Sequence, residues 1–379
     1  MSRVKRVDQV GEDSQVVVIG GGPAGIATAI AARQRGFFTT VLDSRIPPID
    51  KACGEGLLPH GVTSLESLGI RLNSEIAVPF LGIGFSDGRS IARAEFPAAS
   101  AFAMRRTQLH QLLVDRATQA GVAFHWGARV TRFDAYYVAA GDKVFPYTWL
   151  VGADGHNSAV RKWANLGPPR MHQPRFGFRQ HFRVRSWPNY VHVYWGRDCQ
   201  VLTTPVAANE VCVSVLSRDS RLRLRHALPL FPELAEKLRY ATSTTRELGD
   251  MTSLTRLRAV ARGRVALVGD ASGTVDAITG HGLSLAFQQS IVLAEAFRRG
   301  TLHTYEAAHR KIAAMPAVMT RLMLLMDRNA WVRARTLRLF EVNPKLFAKL
   351  LAIHSGDAPL SDVGMGEIVD FGWKLLLAS

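Results

Sequence analysis

Cysteine is scarce in this chain: 379 residues carry only Cys53, Cys199 and Cys212. None stands in a C-x-x-C pair or at metal-ligand spacing, so no disulfide framework or zinc site is expected and reduced thiols are the default. Acidic residues are also in short supply, 31 Asp and Glu against 47 Lys and Arg, for a formal net charge of +16. Such a surplus can draw nucleic acid, anionic lipid or an acidic carrier protein to a surface. No nucleic-acid motif accompanies it, which argues against that partner. The basic residues are spread along the chain and denser between Arg298 and Lys349, a pattern of a solvated basic face or of a peripheral membrane or carrier-protein contact. Long apolar runs suited to crossing a membrane are missing. Residues 16–32 are uncharged, but Gly20-Gly-Gly-Pro23 at their middle makes a poor spanning helix. The opening stretch, Met1 to Ser14, lacks the apolar core of a secretory signal and reads as a frayed lead-in to a cytoplasmic protein. No internal repeat or low-complexity segment is found.

What the chain does have is Gln15-Val-Val-Val-Ile-Gly-Gly-Gly-Pro-Ala-Gly-Ile-Ala-Thr-Ala-Ile-Ala-Ala32. Val16 to Ile19 form a β-branched run suited to a strand buried on both faces, and an Ala-rich helix follows. The turn between them is Gly20-x-Gly22-x-x-Gly25. Gly20 permits a tight turn, Gly22 lets a phosphate approach bare backbone, and Gly25 lets the helix pack closely on the strand. The next strand pattern, Thr39 to Asp43, ends in a carboxylate about 18 residues past the last glycine, close to the ~20 expected for an acid that binds ribose hydroxyls. A dinucleotide held by its pyrophosphate is the expectation.

Further landmarks follow in order. Pro47 to His60 is a breaker-rich loop leaving the carboxyl end of the sheet, where ligands bind in open α/β folds; its Cys53 reads as a packed small residue, with a nucleophile as the alternative. Arg105 to Gly121 is an amphipathic helix with Leu109, Leu112, Leu113 and Ala117 on one face. Arg105 and Arg106 at its start oppose the helix dipole, a placement that a nearby phosphate would explain, with plain surface arginines as the alternative. Trp149-Leu-Val-Gly-Ala-Asp-Gly155 is a strand ending in Asp154-Gly155, with Ser158 and Arg161 heading a helix. From about 174 to 216 the pattern becomes antiparallel, a wall over the substrate, and a basic set, Arg179, His181, Arg183 and Arg185, alternates with Phe178, Phe182 and Val184; solvent exposure of the basic face is the expectation, with orientation of an anionic ligand as the alternative. Arg264 to Asp270 returns to a buried strand. Gly280 to Gly282 then open a helix whose free amides would stabilise negative charge, and His281 beside them is the acid/base candidate, with a packed histidine as the alternative. The last seventy residues read as helical, with Met315, Met319, Leu322, Met323, Leu325 and Met326 as one apolar stripe that packs on other helices or faces lipid.

Taken together, Gly20-x-Gly22-x-x-Gly25 with Asp43, Arg106-x-x-Leu109, Asp154-Gly-x-x-Ser-x-x-Arg161, and Gly269-Asp270 followed by Gly280-x-Gly282 resemble the flavoproteins of the para-hydroxybenzoate hydroxylase superfamily. Its members include class A monooxygenases, geranylgeranyl reductases and flavin halogenases. The resemblance spans residues 15–290 and implies an α/β fold: a discontinuous Rossmann-like FAD-binding domain (1–75, 104–170, 258–310), an inserted antiparallel-sheet substrate domain (76–103, 171–257) and a C-terminal helical region (311–379). It implies that Gly20, Gly22, Pro23, Ala24, Gly25 and Asp43 hold the ADP half of FAD, Arg106 its phosphates and Val130 the adenine. Gly269 and Asp270 would meet the ribityl and pyrophosphate region, and Gly280, Gly282 and Leu283 the flavin. Asp154, Gly155 and Arg161 acquire a second role toward NAD(P)H. Lys51-x-Cys-Gly-x-Gly56 and Val275 to Gly282 resemble geranylgeranyl reductases, but of the spaced-aromatic substrate motif of those enzymes only Pro205 is present, and the halogenase Trp-x-Trp-x-Ile-Pro signature is missing. The expected activity is an FAD-dependent monooxygenation of a lipophilic or aromatic small molecule. A flavin-dependent C=C reductase and a non-catalytic lipid-binding escort protein are the alternatives.

Overall fold

Val16, Val17 and Val18 have no exposed surface, as β-branched residues do in a strand covered on both faces. Their strand, Gln15–Ile19, pairs in parallel with Phe38–Asp43 on one side and Trp149–Gly152 on the other. The computed structural model describes residues 15–97, 101–171, 174–184 and 187–359. In it the central sheet has the order Ala261–Arg262, Val265–Leu267, Trp149–Gly152, Gln15–Ile19, Phe38–Asp43, Ala123–Trp126, parallel except at the first pairing. The lead-in 1–14, Arg185 and residues 360–379 of the expected helical region lie outside the described residues.

The fingerprint helix Pro23–Arg33 starts with proline at its first turn, where the missing N–H is harmless, and packs between Arg106–Gln119 and Gly282–Arg298. Small residues make the second contact close: Thr28 Oγ1 lies 2.9 Å from Ser290 Oγ. Ile26, Ile30, Leu109, Leu113, Phe287 and Leu293 fill the core between these helices and the sheet.

A second, mixed sheet has the order Thr242–Ser243, Arg175–Arg183, Glu210–Ser217, Cys199–Ala207, Tyr190–Trp195, Gly82–Ser86, Ile91–Glu95. Its two halves come from distant parts of the chain, joined by parallel pairing of Tyr190–Trp195 with Gly82–Ser86. The Asp87-Gly88 signal does close a hairpin, Gly82–Ser86 on Ile91–Glu95. The C-terminal helices His303–Arg328, Ala330–Val342 and Pro344–Ser355 share one core with this sheet through Phe85, Trp195, Met326, Phe340 and Phe347. Asparagines punctuate them: Asn329 accepts hydrogen bonds from the amides of Trp331 and Val332, and Asn343 from that of Leu346.

Two expectations need correction. Arg179 and His181 do not face solvent; both are almost fully buried, and only Arg183 of the described basic set is exposed. They are drawn inward by Asp50 and Glu55, carboxylates from a loop more than a hundred residues earlier. The methionine stripe is also not one face: Met319 and Met326 are buried and Met323 half-buried, whereas Leu322 and Leu325 point outward at 51% and 48% exposure.

Candidate active site

The glycine turn separates into three different requirements. A Cβ at Gly20 would sit 2.3 Å from the Ala153 carbonyl oxygen and one at Gly25 1.8 Å from that of Gly20, so both glycines are demanded by the fold. A Cβ at Gly22 would meet nothing within 4 Å. Gly22 lines a cavity and Gly25 does not, so Gly25 serves packing and Gly22 leaves room for something in the cavity. Two side chains brace the turn. Asp43 accepts the Gly21 N–H at 2.7 Å, and the fully buried His110 donates Nε2–H to the Gly21 carbonyl at 2.8 Å.

That cavity, ≈ 930 Å³, brings together Gly20, Gly22, Pro23, Ala24, Asp43, Arg106, Val130, Asp154, Gly155, Gly269, Asp270, Gly280, Gly282 and Leu283. Two buried polar atoms among these have no partner, Arg106 Nε and Asp154 Oδ1. The other Asp154 oxygen accepts the amides of Ala159 and Val160 at the head of the short helix Ala159–Trp163. Arg161, from that helix, donates to the carbonyls of Ala271 and His156 and so ties the strand-end loops together. Lys51 Nζ lies 2.9 Å from both Asp250 and Asp270. Burial opposes the Lys51 charge, but the two carboxylates outweigh it and its pKa is raised; Asp270, which burial alone would raise, is held below the usual carboxylate range by Lys51. The helix Gly282–Arg298 begins without a side-chain cap, and a Cβ at Gly280 or Gly282 would meet no atom, so its first turn faces open cavity. An apolar group of lining residues, Phe80, Ile83, Phe85, Val191, Val193, Leu202, Leu216 and Met323, stands beside polar ones that include Arg179, Thr204 and Ser214.

These features fit FAD: bare backbone at Gly22, an unpartnered guanidinium nitrogen for phosphate, carboxylates for hydroxyls, and an uncapped helix start for the electron-rich ring. They do not fit His281 as acid or base. Its ring is absent from the cavity lining and turned into the protein, Nε2–H donating to the His354 carbonyl at 2.9 Å with the two rings 4.3 Å apart. Desolvation pushes its pKa well below the ordinary value, so it is a packed neutral imidazole. Cys53 does line the cavity, where its sulfur accepts the Glu55 amide at 3.4 Å.

His281, His354 and the half-buried His60 form a cluster that pins the helix Pro344–Ser355 to the loop before Gly282; His354 Nε2–H donates to the Thr279 carbonyl at 3.0 Å, and His60 bonds the Ser355 carbonyl. Desolvation lowers all three, His354 to about 4. A histidine neutral in the fold and basic when unfolded stabilises fully above the unfolded pKa of about 6.5 and loses that contribution as pH falls toward the folded value. His354 alone accounts for about 3 kcal/mol over that window. The melting temperature is therefore expected to fall steeply from pH 7 to pH 4.5, and His354→Gln to flatten the slope while lowering the plateau.

Sequence reasoning missed a buried polar network at the cavity wall, where Glu55 and Arg179 are among the lining residues. Glu55, held at φ 62° and almost fully buried, accepts the Arg106 amide at 2.9 Å with one oxygen and meets His181 Nε2 at 2.6 Å with the other. It thus caps Arg106–Gln119 from outside the helix, which has no cap of its own. Arg105 pairs with Glu210 instead of a ligand. A second set joins Arg175, Asp276, Gln200, Asp327 and Arg218. The only sequence signal for Glu55 was its place between Gly54 and Gly56.

Comparison with known proteins agrees with this geometry. Residues 13–315 match the family model described as FAD binding domain. A menaquinone reductase of Mycolicibacterium smegmatis is 26% identical over 331 residues, covering 78% of this chain and 79% of the relative. A 12-dehydrotetracycline 5-monooxygenase/anhydrotetracycline 6-monooxygenase of Streptomyces rimosus is 27% identical over 336 residues, covering 79% and 67%. The crystal structure of a flavoprotein/dehydrogenase from Cytophaga hutchinsonii superposes with a TM-score of 0.80 at 16% identity, over 96% of this chain and 98% of that one, a likeness of fold. With the family model covering most of the chain and its glycine turn, strand-end acids and helix start converging on one cavity, the protein belongs to the FAD-binding-domain family of para-hydroxybenzoate hydroxylase-type flavoproteins and is an FAD-dependent oxidoreductase.

Proposed function

We propose that this chain is a monooxygenase that uses NAD(P)H and O2 to hydroxylate or epoxidise a lipophilic or aromatic small molecule. The observation that carries this reading is the continuity of one cavity from the FAD-binding residues to the carbon wall built by Phe80, Ile83, Phe85, Val193 and Leu216. FAD held beside Gly22, Arg106 and the start of Gly282–Arg298 would supply the redox chemistry, with the two electrons of NAD(P)H and one O2 giving one oxygen atom to the substrate and the other to water. The chain's own part is positional and electrostatic. The carbon wall excludes water and holds an apolar ring or alkene. The start of Gly282–Arg298 favours negative charge at the cavity, and Arg106 neutralises phosphate. Lys51, held charged between Asp250 and Asp270, fixes the Cys53–Gly56 segment at the cavity edge.

A second reading, reduction of a carbon–carbon double bond, is favoured by the similarity to a menaquinone reductase and by the presence of Lys51-Ala-Cys-Gly-Glu-Gly56 in the cavity lining. NAD(P)H oxidation by the FAD-loaded protein, measured with alkyl phenols and polyprenyl compounds under air and under argon, separates the two. The monooxygenase reading expects turnover only under air, with label from 18O2 in the product. Sustained anaerobic turnover overturns it in favour of the reductase, and a colourless protein that refuses FAD overturns both in favour of an escort role.

A further inference from the structure

We propose that the outer face of the helix His303–Arg328, continued by Trp331, docks this protein on an anionic lipid bilayer. Val318, Leu322 and Leu325 follow one another at helical i, i+4, i+7 spacing and form a single ridge, 41%, 51% and 48% exposed. Trp331, at the start of the next helix, is 48% exposed. Packing of the same helix is supplied at other positions, the core by Met319 and Met326 and the cavity wall by Met323, which leaves the ridge unused. An apolar strip of this kind with an amphipathic aromatic at its end suits the boundary between headgroups and acyl chains.

Charge selects the lipid. Exposed Arg310, Lys311 and Arg321 lie along this helix, in the part of the chain where basic residues are densest. The acids of the same region, Glu306, Asp327 and Glu341, are already engaged: Glu306 accepts the Val260 amide, Asp327 is buried against Gln200 and Arg218, and Glu341 pairs at the surface with Arg338. The face therefore presents cations beside carbon with little compensating acid, and anionic headgroups complement it. A second copy of the chain is a poorer occupant, since two such faces bring like charges together. Contact is peripheral: among the described residues no helix is long and apolar enough to cross a membrane. Met323, on a different face of the same helix, lines the cavity, so the docked helix would stand between bilayer and cavity.

Flotation of the full-length, FAD-loaded protein with vesicles tests this. Binding is expected to phosphatidylcholine vesicles containing phosphatidylglycerol, not to phosphatidylcholine alone, and to weaken at high salt. Leu322→Asp combined with Leu325→Asp should lower vesicle partitioning at least roughly tenfold, and Arg321→Glu by roughly tenfold, with flavin absorbance and turnover of a water-soluble substrate unchanged. Absence of binding, equal binding to both vesicle types, or binding indifferent to these substitutions overturns the proposal. A dimer in lipid-free solution that the double substitution splits would assign the face to a second copy and overturn it as well.

Discussion

Gly22→Val is expected to give a folded protein without colour. Gly22 has φ −77° and ψ 177°, open to any residue, and a Cβ there meets no protein atom within 4 Å. The apoprotein should lose only about 1 kcal/mol, the cost of a poorer residue at the helix N-cap. The new side chain instead enters the cavity that Gly22 lines, where a pyrophosphate bound as proposed would reach the amides of the turn. Displacing two charge-assisted hydrogen bonds, each contributing about 1.5 kcal/mol or more, weakens FAD at least roughly a hundredfold. Gly25→Ala separates the two roles of the motif. Its Cβ falls 1.8 Å from the Gly20 carbonyl oxygen, inside the protein and away from the cavity, so the apoprotein itself should lose about 3 kcal/mol or more. Thermal unfolding of the two apoproteins and FAD titration by fluorescence quenching read the difference; comparing apoproteins matters because bound FAD stabilises on its own. A yellow Gly22→Val protein with unchanged affinity would remove the pyrophosphate from this turn.

The features that were legible in the sequence are local ones. Val16 to Ile19, the three glycines and Asp43 lie within one βαβ unit, where strand period, helix start and terminal acid constrain one another over short separations. Asp154 and Asp270 were legible for the same reason, each closing an apolar strand. Direction within a turn was not. His281 stands at the helix start as expected, yet its side chain is committed to a carbonyl 73 residues away, and no local pattern shows which way a residue beside a helix start will face. The alternation at Arg179 and His181 has the expected period, but both faces are covered there, Phe178 and Phe182 packing on the core of Val211, Val213 and Leu224, because strand period does not say whether a face is wet. That is decided by Asp50 and Glu55, 129 and 126 residues distant. Buried ion networks are non-local by construction, since carboxylate and guanidinium meet only after separate elements have packed.

The second network makes the other large prediction. Arg175 is 2% exposed at its side chain and Asp276 1%, with Nη1 2.8 Å from Oδ1, and Gln200 Nε2 reaches Asp327 at 2.5 Å beyond them. Asp276 Oδ1 also accepts the Ile278 amide at 3.1 Å, capping the turn Ala277–Thr279 that leads to Gly280 and Gly282 in the cavity wall. Burial raises the Asp276 pKa above its ordinary value even though Arg175 pulls it down. Arg175→Met removes the restraint and leaves a carboxylate buried without its cation, a change that costs about 3–5 kcal/mol. The sign with pH follows from the direction of the shift. A carboxyl whose folded pKa lies above the unfolded one contributes stability below the unfolded value and loses it as pH rises through the folded value. The penalty of Arg175→Met should therefore be smallest near pH 4.5 and grow toward pH 8, opposite in slope to the histidine cluster. Asp276→Asn in the same chain should recover part of the loss at pH 8 and little at pH 4.5. Because the Asp276 turn sets the position of Gly280 and Gly282, the rate per bound flavin should also fall tenfold or more, as roughly 1 Å of misplacement can cost up to 10²-fold. Urea unfolding of the two variants across this pH range, with turnover normalised to flavin content, measures both effects. A pH-independent loss would mean that Asp276 is not ionised against Arg175 in the folded protein.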